Sequence, residues 1–134
     1  MKALLALIFI FVSTVAWGQT WHTANQATVG WDAVTTLENG NPVSPNEVSY
    51  TVYLYNAVTD PDHLNPVEVG STQDTEYLIT LAVEGRYFFG VKSVRTVNSE
   101  KVSKSAITWS SLSEYDFGLQ FYLAPSEPKG LIKK

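Results

Sequence analysis

Between Ala27 and Trp109 short runs rich in Val, Ile, Thr, Tyr and Phe recur between clusters of Gly, Pro, Asn and Asp, and no helical period runs through them. That pattern restricts the chain to strands joined by turns. The clearest run is SYTVYLYN, Ser49 to Asn56, where Tyr50, Val52 and Leu54 alternate with Thr51, Tyr53 and Tyr55. Side chains alternate across a strand, so this segment has one face for a core and one for something else. ATVGWDAV (Ala27 to Val34) puts Val29 and Trp31 on one face, and EYLITL (Glu76 to Leu81) does the same with Tyr77, Ile79 and Leu81. RYFFGVKSV (Arg86 to Val94) aligns Tyr87, Phe89, Val91 and Ser93, and SAITWS (Ser105 to Ser110) aligns Ile107 with Trp109. PVEVGS (Pro66 to Ser71) reads as a short edge strand, because its proline cannot donate to a ladder. LENGNPVSPN, AVTDPDHLN, TQDT, VEG and TVNSEK supply the turns.

Six to seven strands in roughly ninety residues predict an all-β, immunoglobulin-like antiparallel sandwich. The pieces that carry a closer likeness are Trp31 of VGW, Tyr50 with Val52, the run of Leu81, Tyr87, Phe89 and Val91, and the closing SEKVSKSAITWS. In order and spacing they resemble the fibronectin type III domain. The resemblance implies that Trp31 is the central core residue and that the Tyr87 hydroxyl bonds to backbone a few residues upstream. It also implies a Pro-containing opening and a first strand, where this chain has only QTWHTANQ (Gln19 to Gln26). APSEPKGLIKK (Ala124 to Lys134) looks like that kind of opening, displaced to the other end.

The first residues, MKALLALIFIFVSTVAWGQT, have a basic start at Lys2, an apolar run from Ala3 to Val12, and small residues Ala16 and Gly18 around Trp17. This is the layout of a secretory signal, read here as residues 1–18 with cleavage after Gly18. The apolar run is shorter than the roughly 20 residues of a spanning helix, so no stable membrane insertion is expected after cleavage. The expected organisation is a signal in 1–18, a sandwich in 19–112 and a C-terminal extension in 113–134. The expected destination is secreted, periplasmic or cell-surface, with a bacterium or its virus as the natural source. The chain has no cysteine and no Asn-x-Ser/Thr acceptor, so neither disulfides nor N-glycans are expected to support it.

A formal charge of -4 and scattered basic residues give no footprint for phosphate backbones, which excludes nucleic acid as an expected partner. Hydrophobic residues make up 45% and charged ones 16%, too apolar for a disordered chain. Groups suited to catalysis are few. His22 and His63 are the only histidines, and Asp60-Pro61-Asp62-His63 reads more readily as a turn than as a metal loop. Asp32, Asp74, Glu76 and Glu84 fall at strand ends or turns as solvated carboxylates, and the Thr96 to Lys101 hairpin tip holds no Arg-Gly-Asp. The expectation is no enzyme, no cofactor and no metal.

Two features remain as candidate binding surfaces. Period 2 directs Tyr53, Tyr55 and Phe88 outward, near Arg86 and Lys92. Such aromatics can stack on sugar rings, receive a protein, pair with each other or be covered by the chain's own tail. In the tail, Phe117, Leu119, Phe121 and Leu123 alternate with Gly118, Gln120 and Tyr122, the pattern of a half-buried strand. It docks either on its own molecule or on the edge of a neighbour. The expected function is a noncatalytic module for protein binding, adhesion, self-association or extracellular or virion assembly; the alternative is a carbohydrate-binding module that engages polysaccharide through the outward aromatics.

Overall fold

The alternation of Ser49 to Asn56 begins one residue earlier in space: Val48, Tyr50, Val52 and Leu54 face the core, Val52 with no exposed surface. In the computed structural model, which describes residues 20–134, nine strands carry the fold: β1 (Thr20–Thr23), β2 (Gln26–Gly30), β3 (Val48–Asn56), β4 (Val67–Thr72), β5 (Glu76–Thr80), β6 (Gly85–Val97), β7 (Glu100–Lys104), β8 (Thr108–Trp109) and β9 (Phe117–Phe121). They form an all-β sandwich of a seven-stranded sheet, ordered β1-β9-β6-β3-β4 with β7 and β8 also on β6, and a two-stranded sheet of β2 and β5. The assigned signal, residues 1–18, lies outside the described residues.

The core forms where inward faces meet: Ala27, Val29 and Trp31 from the β2 side, Ile79 and Leu81 from the β5 side, against Tyr50, Val52, Leu54, Phe89 and Leu119. Tyr77 joins the two sheets by donating its hydroxyl to the Val69 carbonyl (3.1 Å) across the close approach that Gly70 permits.

The last hairpin is tighter than the sequence reading has it. Asn98 and Ser99 both take positive φ, 53° and 69°. This suits a two-residue turn whose twist matches the flanking strands. Consequently β6 runs to Val97 and β7 begins at Glu100, inside the polar segment read as a turn, while only Thr108 and Trp109 of SAITWS remain strand.

Beyond Val97 the chain returns along β6 in three pieces. β7 pairs with Val94 to Val97, β8 with Gly90 and Val91, and β9 with Gly85 to Tyr87, all antiparallel. Residues 111–116 loop out between the last two, and Phe117 donates its backbone N–H to the Ser110 carbonyl (3.2 Å), closing that loop at its base. Ser110 fixes the junction: its Oγ accepts from Phe89 N (3.1 Å) and its N–H donates to Phe89 O (2.8 Å). β9 therefore lies inside the larger sheet, with β6 on one side and β1, paired in parallel, on the other.

At the start of β6, Tyr87 donates its hydroxyl to the Val83 carbonyl at 2.9 Å, tying the turn to the strand. Tyr87→Phe removes that bond and leaves the ring. The expected loss is about 1 kcal/mol, read from urea unfolding, with the native spectrum intact; a neutral substitution would mean that water satisfies the hydroxyl equally well.

Candidate functional site

β3 and β6 are neighbours, and their register sets Tyr55 directly opposite Phe88 on the face away from the core. That face is not open at this point. Tyr55 is 5% and Phe88 4% exposed. Trp21 on β1 lies 5.1 Å from Phe88 between ring centroids, and Trp109 on β8 lies 4.9 Å from Tyr55, edge to face. His63 closes the group at 5.2 Å from both Tyr55 and Trp109. The outward aromatics thus form a second, smaller core on the far side of the larger sheet.

Two glycines make room for this layer. A Cβ on Gly90 would run into the Trp109 ring, and one on Gly118 would sit 2.6 Å from Trp21 Cζ3 and 2.7 Å from the Tyr87 carbonyl oxygen. Glycine inside a strand marks such a close approach. Each tryptophan ring therefore packs against a strand position that has no side chain. A polar row seals the layer at the β1 end: Gln120 donates to Thr23 Oγ1 (2.9 Å) and accepts from Arg86 Nε (3.0 Å). The Arg86 guanidinium also stands 5.3 Å from the Trp21 ring centroid, within range of a cation–π contact. At the opposite side the Tyr55 hydroxyl donates to Ser111 Oγ (2.9 Å).

Tyr53 is the third residue of the outward set and stands apart from this layer. It is half-buried, with Lys92 Nζ 5.2 Å from its ring centroid.

The tail residues separate into two groups. Leu119 is 1% exposed, and Phe117 and Phe121 are half-buried against the main core. Phe117 meets Phe89 edge-on at 5.4 Å. Leu123 lies beyond the strand at 70% exposure, its backbone N–H held by Glu84 Oε2 (2.7 Å). After it the chain runs outside any strand, with Leu131 87% and Ile132 73% exposed.

The remaining polar candidates have local roles. Both carboxylate oxygens of Asp60 accept backbone N–H groups, from Leu64 and Asn65, each at 2.9 Å, and shape the loop that delivers His63 to the aromatic layer. Among the described residues there is no group of three His, Cys, Asp or Glu able to hold a metal ion. An open groove of about 700 Å³ lies between the Val34 to Val43 loop and the β6 and β7 hairpin, with Glu38, Arg95 and Lys104 as its charged lining. Glu38 is the only carboxylate among those lining residues, and Arg95 is paired with the Glu47 carboxylate at 3.2 Å. In the loop 111–116, burial first and then the adjacent Glu114 carboxylate push the Tyr115 phenol above its usual value.

Among the described residues no helix is long and apolar enough to cross a membrane. No protein-family model and no curated protein sequence matches the chain.

Proposed function

We propose that this chain is an exported, noncatalytic module of fibronectin type III type that mediates protein binding or assembly outside the cell or on a virus particle. The observation that carries the reading is the apolar C-terminal segment, whose Leu123, Leu131 and Ile132 are 70%, 87% and 73% exposed. Aliphatic side chains in that number stabilise a contact by roughly 1.5 to 3 kcal/mol each when buried, and their own domain leaves them in solvent. The domain type is supported by the two-sheet sandwich, by Trp31 in its core and by the Tyr87 bond to Val83. Export is supported by the signal-like sequence of residues 1–18.

The burial of Tyr55 and Phe88 turns the reading away from sugar stacking, since stacking needs open ring faces. The test is retention of labelled protein on the envelope or extracellular material of the cells that export it. Full-length protein is expected to be retained, the double variant Leu131→Asp, Ile132→Asp to be washed off, and Tyr53→Ala to behave as wild type. Protein that stays in the supernatant in every case would sink the reading. Retention on insoluble polysaccharide that disappears with Tyr53→Ala would replace it with carbohydrate binding, and release of soluble sugars would make the chain an enzyme.

A further inference from the structure

The two sheets differ in width, and the difference lies on one side. β5 adjoins β4 through the Tyr77 bond to Val69, so the free edge of β2 points the other way, toward the side of the larger sheet that carries β9 and β1. Among the described residues β2 pairs with β5 alone. The ladder shows which of its groups are left over. Trp31 N donates to Thr75 O and Leu81 N to Asn25 O, which makes residues 25, 27, 29 and 31 the ones that exchange bonds with β5. The N–H and C=O groups of Gln26, Thr28 and Gly30 therefore point away from β5. The Gln26 carbonyl has His22 Nε2 at 3.2 Å, and no described residue bonds the groups of Thr28 and Gly30. On β9, Phe117 and Phe121 pack against the same core as β2 and are only half-buried.

Resting on the assembly reading above, we propose that the free edge of β2 receives the segment Lys129 to Lys134 of a second copy of this chain as an added strand. The segment has six residues against the five of β2, which matches the two in length. Leu131 and Ile132 are exposed on their own molecule, so its own edge is not their seat. Three lysines against Glu127 give residues 124–134 a charge of +2, and since the whole chain carries -4, residues 1–123 carry -6. Tail and body therefore attract. The seven residues from Tyr122 to Pro128 reach about 23 to 25 Å when extended, enough to leave one body for the next. Pro125 and Pro128 fall in this connector and cost the added strand no ladder bond. The contact joins the tail of one copy to the edge of another, a head-to-tail geometry that extends into open chains unless the rotation closes a ring.

The experiment compares full-length protein with a form lacking residues 124–134, which keeps β9 whole, and titrates the truncated form with a labelled peptide of residues 122–134. Full-length protein is expected to sediment as concentration-dependent oligomers and the truncated form as a monomer. The peptide is expected to bind the truncated form and to slow exchange of the Thr28 and Gly30 amides; Leu131→Asp in the peptide should weaken binding about tenfold or more, as losing one buried aliphatic contact does. Thr28→Pro removes an N–H that β5 does not use and should abolish binding while circular dichroism remains native. If that variant does not fold, the amide map alone decides. A monomeric full-length protein, oligomers that survive truncation, a peptide that fails to bind, or protection at β4 or β7 in place of β2 would each overturn the proposal. None of these results touches retention on envelope material, so the wider binding reading stands or falls separately.

Discussion

Deletion of Asp116 to Lys134 is expected to abolish the cooperative melt. β9 is the strand between β6 and β1, and among the described residues β1 has no other strand partner, so both strands are lost from the sheet together. The main core loses Leu119, 1% exposed, with the half-buried Phe117 and Phe121. On the opposite face Phe88 loses the Trp21 ring that covers it, because the β1 strand that carries Trp21 is paired with β9. A buried leucine cut back to alanine typically costs about 2 to 5 kcal/mol, and two aromatic contacts and two ladders go with it. Against a total near 5 to 15 kcal/mol, a sum of that order leaves little or nothing. The truncated chain should bind hydrophobic dye, lose its near-ultraviolet dichroism and melt without a sharp transition. Removal of residues 124–134 alone should leave a cooperative transition in place, because β9 and the strands it joins stay whole. A 116–134 deletion that melts within a few degrees of the full chain would show that β9 is peripheral.

The strands were legible where one face is buried and the other wet. β5 follows period 2 residue for residue, because only one of its sides demands apolar groups; β3 keeps the period in its inward set, Val48, Tyr50, Val52 and Leu54, although Thr51 and Tyr55 on its other face are buried as well. β6 was harder. In RYFFGV, Phe88, Phe89 and Gly90 are all buried, so alternation gives way to a continuous apolar run. Such a run belongs to a strand covered on both faces, and it was the available sign that Phe88 points into something. Trp21 and Trp109 were the other sign: two large rings outside the main core need a surface, and Gly90 and Gly118 supply it. Which ring meets which glycine depends on contacts across long sequence separations, and no local pattern encodes them. The same holds for β9. Its alternation showed a strand, but that it falls in line behind β8 rests on the loop 111–116 closing at Ser110. The short N-terminal segment was visible as a gap in the expected order of strands. That it would turn to the larger sheet and leave the β2 edge free followed from the Ala24 N–H bond to Gln120 O (3.1 Å), made at the corner where the chain crosses between sheets.

Trp31→Ala is expected to be the most costly single substitution outside β9. The side chain is 8% exposed, stands edge-on to Tyr50 with ring centroids 5.4 Å apart, and belongs to the cluster that joins both sheets. Truncating a buried tryptophan costs about 3 to 5 kcal/mol, roughly a fifth or more of the total for a domain of this size. At about 4 to 8 °C per kcal/mol, the melting temperature should fall by tens of degrees. One detail of the site separates packing from polarity: Trp31 Nε1 is buried with no hydrogen-bond partner among the described residues. An orphaned donor of this kind carries a penalty of about 1 to 3 kcal/mol in the native state. Trp31→Phe discards that donor while keeping most of the ring contact with Tyr50, so part of the lost burial is offset. The phenylalanine variant should therefore sit much nearer wild type than the alanine variant, within about 1 to 2 kcal/mol by urea unfolding. If alanine barely moves the melt, the ring does not hold the two sheets together. If phenylalanine costs as much as alanine, the indole N–H has a partner and its burial without one is wrong.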